Sequence, residues 1–383
     1  MGAIPIAIVL RAFEPGGTEY QMIELVRRLD PDRWRVHVAC FRARGAWRDR
    51  VADRAASITE FPVRSFLRPD LLRHGRAFID WCHQRRISIV QTTEMPTNLF
   101  ALPAAAFGRI PVRIGARREI NANRTAVQIA LQRITYACAT AIAANSRAAF
   151  DRLRREGVPA RRIAVIPNGL DVERFGVRSV AHPPRTVAIV ANLRPEKQHE
   201  VLINAAPAVL ARFPDARFQA IGDGPERARL EKVATAVGVS HAFTFLGYQR
   251  DIDDRLEAID ILALCSRSEG FPNAVLEALA AGVPVVASDL PAVRELIVHG
   301  ESGLLVPPGN STELARALCR LMADPVLARR LGDRGRADTL ARFSFTHMVA
   351  AFEALYMTEL ARYGQRAGAT VAATDRAPWQ RNA

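Results

Sequence analysis

Lysine is almost missing from this chain. Of its 53 basic side chains only Lys197 and Lys232 are lysines, and the rest are arginines. That bias fits a GC-rich genome, so the arginine number alone does not argue for nucleic acid. Aromatic residues make up only 7%, and no RNA- or DNA-binding motif is visible, which argues against a nucleic-acid partner. Cysteine is scarce and scattered, at positions 40, 82, 138, 265 and 319. With no C-x-x-C and no Cys/His cluster at zinc spacing, a disulfide framework and a zinc site are excluded. These cysteines read as small buried hydrophobes in a reducing cytoplasm. No apolar run reaches the roughly 18 residues that a membrane span requires. The opening MGAIPIAIVL has no cationic segment before it and no cleavage site, so a secretory leader is not expected. H-E-x-x-H, G-x-S-x-G and Cys/His nucleophile patterns are absent, and no G-x-G-x-x-G follows the first strand. His199 and His299 are expected at the surface.

What is present describes a globular protein. The chain has 383 residues, 49% hydrophobic and 24% charged, a length that suggests two domains. The net charge of +14 is unevenly placed. Residues 1–184 carry 30 basic and 16 acidic side chains, whereas residues 185–383 carry 23 of each. The whole excess therefore lies in the first half, which points to an anionic surface or substrate on that side.

Short β-branched runs alternate with longer segments of helical period, the pattern of parallel sheets covered by helices. Ile4–Leu10 reads as a first strand, followed by Gly16-Gly17 and a helix to about Leu29. Arg35–Cys40, Ser88–Gln91, Ile110–Gly115, Ala141–Ala144 and Ile163–Ile166 continue the series. Pro167-Asn168-Gly169 reads as a turn because Asn-Gly tolerates positive φ. His182-Pro183-Pro184 is the linker candidate. The cycle restarts with strands at Thr186–Ala191, Arg217–Ile221, Phe243–Phe245, Ile261–Leu264, Val285–Ala287 and Leu304–Val306. Helices are expected over Lys197–Phe213, Pro225–Val237 and about Ser344–Tyr363. The expected division is 1–182, 185–343, a final helix over 344–363 and a disordered tail over 364–383.

The segment Ser266–Gly282, SRSEGFPNAVLEALAAG, follows a buried strand and opens a helix. Asn273 is placed to cap that helix and Gly282 to end it. In a doubly wound sheet such a loop lies at the carboxyl edge, where ligands bind. Gly270 lets backbone N–H groups approach a phosphate at the helix N-terminus. Glu269 and Glu277 could there hold sugar or ribose hydroxyls by charge-assisted hydrogen bonds. A solvated Glu269, and a Glu277 that merely favours the helix dipole, is the plainer alternative.

Glu269-Gly-Phe-Pro-Asn-Ala-Val-Leu-Glu277 resembles the E-x7-E motif of the family 4 retaining glycosyltransferases. The following AAGVPVVASDLPAVRELIVHGESGLLVPPGN, the preceding VANLRPEKQHEVLINAA, FQAIGDGPERARLE and FTFLGYQRDIDDRLEAIDILAL, and also Gly16-Gly17-Thr18-Glu19 and Ile166-Pro-Asn-Gly-Leu-Asp171, are similar to the same family. The resemblance implies a GT-B fold, two Rossmann-like α/β domains facing across a cleft. The first would bind the acceptor and the second a nucleotide-sugar donor. It further implies that Glu277 binds ribose hydroxyls, that Glu269 positions the transferred sugar, and that Gly270 and Phe271, flanked by Pro272 and Asn273, receive the diphosphate. Lys197 would neutralise that diphosphate, and Gly16, Gly17 and Gly222 would lie near the donor.

Two places depart from the family pattern. Asn192 stands where an arginine is usual, with Arg194 two residues along. The first-domain histidine is missing, and Thr93, with Glu94 beside it, occupies the matching place as hydroxyl or acceptor-side base. Asp251-Ile-Asp253-Asp254 has D-x-D spacing, but its acids are better read as opening a helix. No metal or other cofactor is expected.

The implied reaction is retaining transfer of a hexosyl unit from a UDP- or GDP-sugar to a saccharide or lipid-linked acceptor in polysaccharide or glycoconjugate synthesis. A cytoplasmic protein, peripheral on an anionic membrane through its basic first domain, fits the charge distribution. The rivals are a nucleotide-sugar-binding partner that no longer catalyses transfer, an epimerase of the same fold, and a basic membrane-surface scaffold.

Overall fold

A computed structural model of the protein describes residues 2–63, 70–118, 125–176, 183–249 and 252–374. The D-x-D aspartates and His182 of the linker candidate fall outside the described residues or side chains. Strand β1 (Ile4–Leu10) is buried from Ile6 to Leu10. Such near-continuous burial is what a strand covered by helices on both faces requires.

Around β1 lie β2 (Trp34–Cys40), β3 (Ser57–Glu60), β4 (Ile89–Thr92), β5 (Val112–Arg117), β6 (Ala141–Ala144) and β7 (Ile163–Val165). Among the described residues they form one parallel sheet in the order β3-β2-β1-β4-β5-β6-β7. Strand β3, sequence SITE, was not expected. It is a short edge strand whose residues are half-buried or exposed, so it lacks the apolar run that marks its neighbours.

The second sheet contains β8 (Thr186–Val190), β9 (Arg217–Ile221), β10 (Phe243–Gly247), β11 (Ile261–Leu264), β12 (Val285–Ser288) and β13 (Leu304–Val306). Its order is β10-β9-β8-β11-β12-β13, again parallel. Each sheet reverses its winding beside its first strand, at β1/β4 and β8/β11, and ligand crevices form at such switch points. Two Rossmann-like α/β units in tandem, as the GT-B resemblance implies, are thus present.

The chain crosses back between the units near residue 344. Leu170 N–H donates to Phe343 O at 2.9 Å and Phe345 N–H to Leu170 O at 3.0 Å. The last helix, Phe345–Thr374, then packs Phe345, Met348, Phe352 and Tyr356 into the same core as Ile6, Ile8, Met22 and Trp34. Trp34 and Tyr356 meet edge-on at 5.3 Å, and Trp34 Nε1 donates to Glu353 at 2.6 Å. The helix runs past Gly364 to Thr374, where a disordered tail was expected. Four alanines between Gly364 and Thr374 favour the helix, although Gly368 does not, and no proline interrupts the stretch before Pro378.

The Asn168-Gly169 turn also differs from its reading, since neither residue has a positive φ. Glycine is needed there for space: a Cβ on Gly169 would lie 2.8 Å from Phe345 Cα. His199, expected at the surface, is 1% exposed. Burial depresses its imidazole to about 4, so it is neutral at physiological pH.

Candidate functional site

A cleft of about 530 Å³ lies between the carboxyl ends of the two sheets. Its second-domain wall is built from the loops that leave β8 and β11. After β8 the chain passes Asn192 and Arg194, both exposed to the cleft, into a short 3-10 turn ending at Lys197. Gln198 then takes a left-handed φ of 48°, which turns the chain into the helix His199–Leu210. After β11 the loop carries Ser266 and Glu269. Arg267 N–H donates to Glu196 O at 2.9 Å and ties the two loops together.

Lys197 Nζ lies 2.6 Å from Glu269 Oε1, and Ser266 Oγ donates to the same oxygen at 2.6 Å. The Glu269 side chain is only 8% exposed, so it is not a solvated loop residue. Gly270, Phe271 and Pro272 line the cleft and lead into the helix Asn273–Ala280. Gly282, with φ 74°, follows its end.

Glu277, on that helix, is half-buried and lines the cleft. Its carboxyl makes no hydrogen bond among the described residues. Burial pushes its pKa up to about 7, and Arg174 only partly opposes this. A carboxyl held back from solvent with its acceptors unspent suits hydroxyl groups arriving from the cleft.

Asn273 does not cap its helix. Pro272 holds the N-cap position, and Asn273 is the first helical residue. Its side chain points across the cleft instead. Asn168 Nδ2 donates to Asn273 Oδ1 at 2.6 Å, and Asn273 Nδ2 donates to Gly17 O at 3.4 Å. Asn168 in turn accepts from Arg118 Nη2 at 2.5 Å. A polar chain therefore joins the β5 and β7 ends of the first unit to the helix Asn273–Ala280 of the second.

The first-domain wall carries Gly16 and Gly17, which open the helix Gly17–Arg28. Gly16 is the N-cap in an extended conformation, with no side chain capping the first turn. A Cβ on Gly17 would come within 3.0 Å of Asn273 Nδ2, so glycine permits the close approach of the two walls.

Gly222 does not line the cleft. Its φ is 137°, and a Cβ there would collide with Ala191 O, so it packs the β9 end against the β8 loop. Thr93 and Glu94 are not brought into the cleft lining either. Thr93 is 1% exposed and its hydroxyl donates to Val9 O at 3.0 Å. Glu94 is the N-cap of the helix Met95–Phe107, in a reciprocal capping box with Thr97, and pairs with Arg11 at 3.5 Å.

Arg118, Asn145, Asn168 and Arg174 also line the cleft but were not among the expected site residues. Their common signal is position: the first three follow β5, β6 and β7, where the carboxyl-edge rule places ligands. Among the described residues no group of His, Cys, Asp or Glu is arranged to hold a metal ion.

Residues 15–174 match the Glycosyltransferase Family 4 model, and residues 174–338 match the model for glycosyl transferases group 1. The chain belongs to the family 4 glycosyltransferases. An exopolysaccharide phosphotransferase of Streptomyces coelicolor is 37% identical over 206 residues, covering 53% of this chain and 21% of that one. A D-inositol 3-phosphate glycosyltransferase of Nocardia farcinica is 32% identical over 252 residues, covering 59% of this chain and 55% of that one. The matched part of this glycosyltransferase-family chain thus spans less than two thirds of either relative's length. In structure it is similar to Anabaena HepE, solved in complex with UDP-glucose. The TM-score is 0.80 at 21% identity, with 92% of this chain and 99% of that one covered, a likeness of fold.

Proposed function

We propose that this protein transfers a hexosyl unit, with retention, from a UDP- or GDP-sugar to a hydroxyl acceptor, a lipid-linked or saccharide glycan. The observation that carries the reading is the Lys197–Glu269 pair at 2.6 Å, which shares one cleft with the unspent Glu277 carboxyl. Glu277 accepts the ribose hydroxyls. The N–H groups of Gly270 and Phe271 take diphosphate oxygens, with Asn192 and Arg194 alongside. Lys197 leaves Glu269 for the diphosphate, where a fixed cation stabilises charge that grows as the leaving group departs. Glu269, released from Lys197 but still held by Ser266, faces the transferred sugar. In this scheme Lys197 supplies the charge and no resident metal takes part. Donor binding that withstands EDTA would agree, and loss of binding on chelation would count against it.

HepE's complex with UDP-glucose supports a uridine donor, and the exopolysaccharide and inositol-phosphate relatives support a sugar-like acceptor. The excess of positive charge in residues 1–184 supports a cytoplasmic protein docking on an anionic membrane leaflet. A second reading, a donor-binding partner that does not catalyse, is favoured by one observation: the Thr93 hydroxyl is committed to Val9 O.

Thermal shift with UDP, GDP and ADP, followed by a donor-hydrolysis and transfer assay, tests both. A base-selective shift lost in Lys197→Ala and Glu277→Ala, with turnover in the wild type, supports the transferase. A shift without turnover supports the partner reading. No shift with any nucleotide removes both.

A further inference from the structure

Arg118 comes immediately after β5 and lines the cleft on the wall opposite Lys197. The residue is 9% exposed. Among the described residues it forms no ion pair, and its one hydrogen-bond acceptor is Asn168 Oδ1. Glu19 is the acid that acts on it, without forming a salt bridge. A buried cation with no acid in salt-bridge contact among the described residues is unfavourable, and a guanidinium with most of its N–H donors unspent can receive an oxyanion in fork geometry. Lys197, by contrast, already has Glu269.

Asn145, 3% exposed, lines the same wall. Its Nδ2 donates to Arg118 O at 3.0 Å and fixes the backbone there, while its Oδ1 has no hydrogen-bond partner among the described residues. A cation and an orphaned acceptor side by side fit a molecule that presents both a phosphate and a hydroxyl.

We propose that Arg118, held by Asn145 and Asn168, is a phosphate-binding residue on the first-domain wall, with Asn145 Oδ1 accepting a hydroxyl of the same molecule. The proposal rests on the transferase reading and deepens it. The phosphate comes either from the donor's diphosphate, gripped from the wall opposite Lys197, or from a phosphorylated acceptor.

Calorimetry on the full chain separates the sources, using wild type, Arg118→Gln and Arg118→Lys. One arm titrates UDP or GDP, whichever binds. The other titrates inorganic phosphate with that nucleotide at saturation. Loss of about tenfold or more for Arg118→Gln, the scale of one or two charge-assisted hydrogen bonds, is expected in at least one arm. Loss in the nucleotide arm assigns the donor diphosphate, and loss in the phosphate arm assigns the acceptor. Unchanged affinity in both overturns the proposal. If Arg118→Gln does not fold, Arg118→Lys decides, because it keeps the charge and loses the fork. Weaker binding supports the proposal, and wild-type affinity in both arms overturns it. Where no nucleotide binds the wild type, the donor reading fails, and phosphate alone is titrated. Binding that depends on Arg118 then keeps this inference, and its absence removes it.

Discussion

Lys197 and Glu277 show how far one side chain's setting departs from its type. The lysine is paired at 2.6 Å with a carboxylate in a solvent-poor loop. On the transferase reading, Lys197→Ala should reduce kcat about 10²- to 10³-fold, the usual effect of deleting one preorganised group at a developing charge, as single-turnover kinetics will measure. Glu277 carries a testable dependence on pH. Its pKa rises from 4.5 when unfolded to about 7 when folded. Below about pH 4.5 it is protonated in both states, and no stability difference arises. As pH rises through that window the unfolded chain ionises first, so stability falls until about pH 7 and then levels. Glu277→Gln should match wild type at pH 4 and exceed it by ~2 kcal/mol at pH 8, discounted for the residue's partial exposure. Urea denaturation at both pH values checks this. If the carboxylate form accepts ribose hydroxyls, nucleotide affinity should rise as pH passes about 7, and the Gln variant should lose that dependence.

At the scale of elements, helix ends join the two units. Glu295, from the second unit, accepts from Arg147 N–H at 2.8 Å and Ala148 N–H at 3.0 Å, at the start of the helix Arg147–Arg155. Glu295→Ala should cost about 1 kcal/mol, the size of a lost cap, measured by thermal unfolding. The final helix is more demanding. Phe352 is fully buried between that helix and the first sheet's core. Phe352→Ala should cost about 3–5 kcal/mol and lower the first unit's melting temperature. A fall confined to the second unit would contradict the packing seen here. Strong periodic elements such as Ile4–Leu10 and Ile261–Leu264 were legible in the sequence because burial on both faces leaves an unbroken apolar run. Ser57–Glu60 was not, because edge strands are read from their neighbours.

Over the whole molecule, charge and closure are the properties that matter. With a net charge of +14 carried by residues 1–184, binding to vesicles containing anionic lipid should exceed binding to neutral ones. It should fall steeply as salt approaches 1 M, where screening acts within about 3 Å. Equal binding to both vesicle types in sedimentation would remove the proposed membrane docking. The Arg118–Asn168–Asn273–Gly17 chain crosses from one unit to the other. Asn273→Ala should therefore favour a more open arrangement, visible as a larger radius of gyration in solution scattering.

The sequence by itself determined the parallel α/β architecture, the restart after residue 184 and the loop that carries Glu269 and Glu277. Those features follow from local periodicity and from the position of glycines and acids next to strands. Only the tertiary structure decided which side chains meet in the cleft. The Thr93 hydroxyl donates inward to Val9 O, Asn273 stands one residue past the cap and accepts from Asn168, and Arg118 is a buried cation. Such outcomes depend on partners as many as 148 or 256 positions away, as between Arg147 and Glu295 or Gly17 and Asn273. Spacing along the chain carries no record of which donor and acceptor finally face each other.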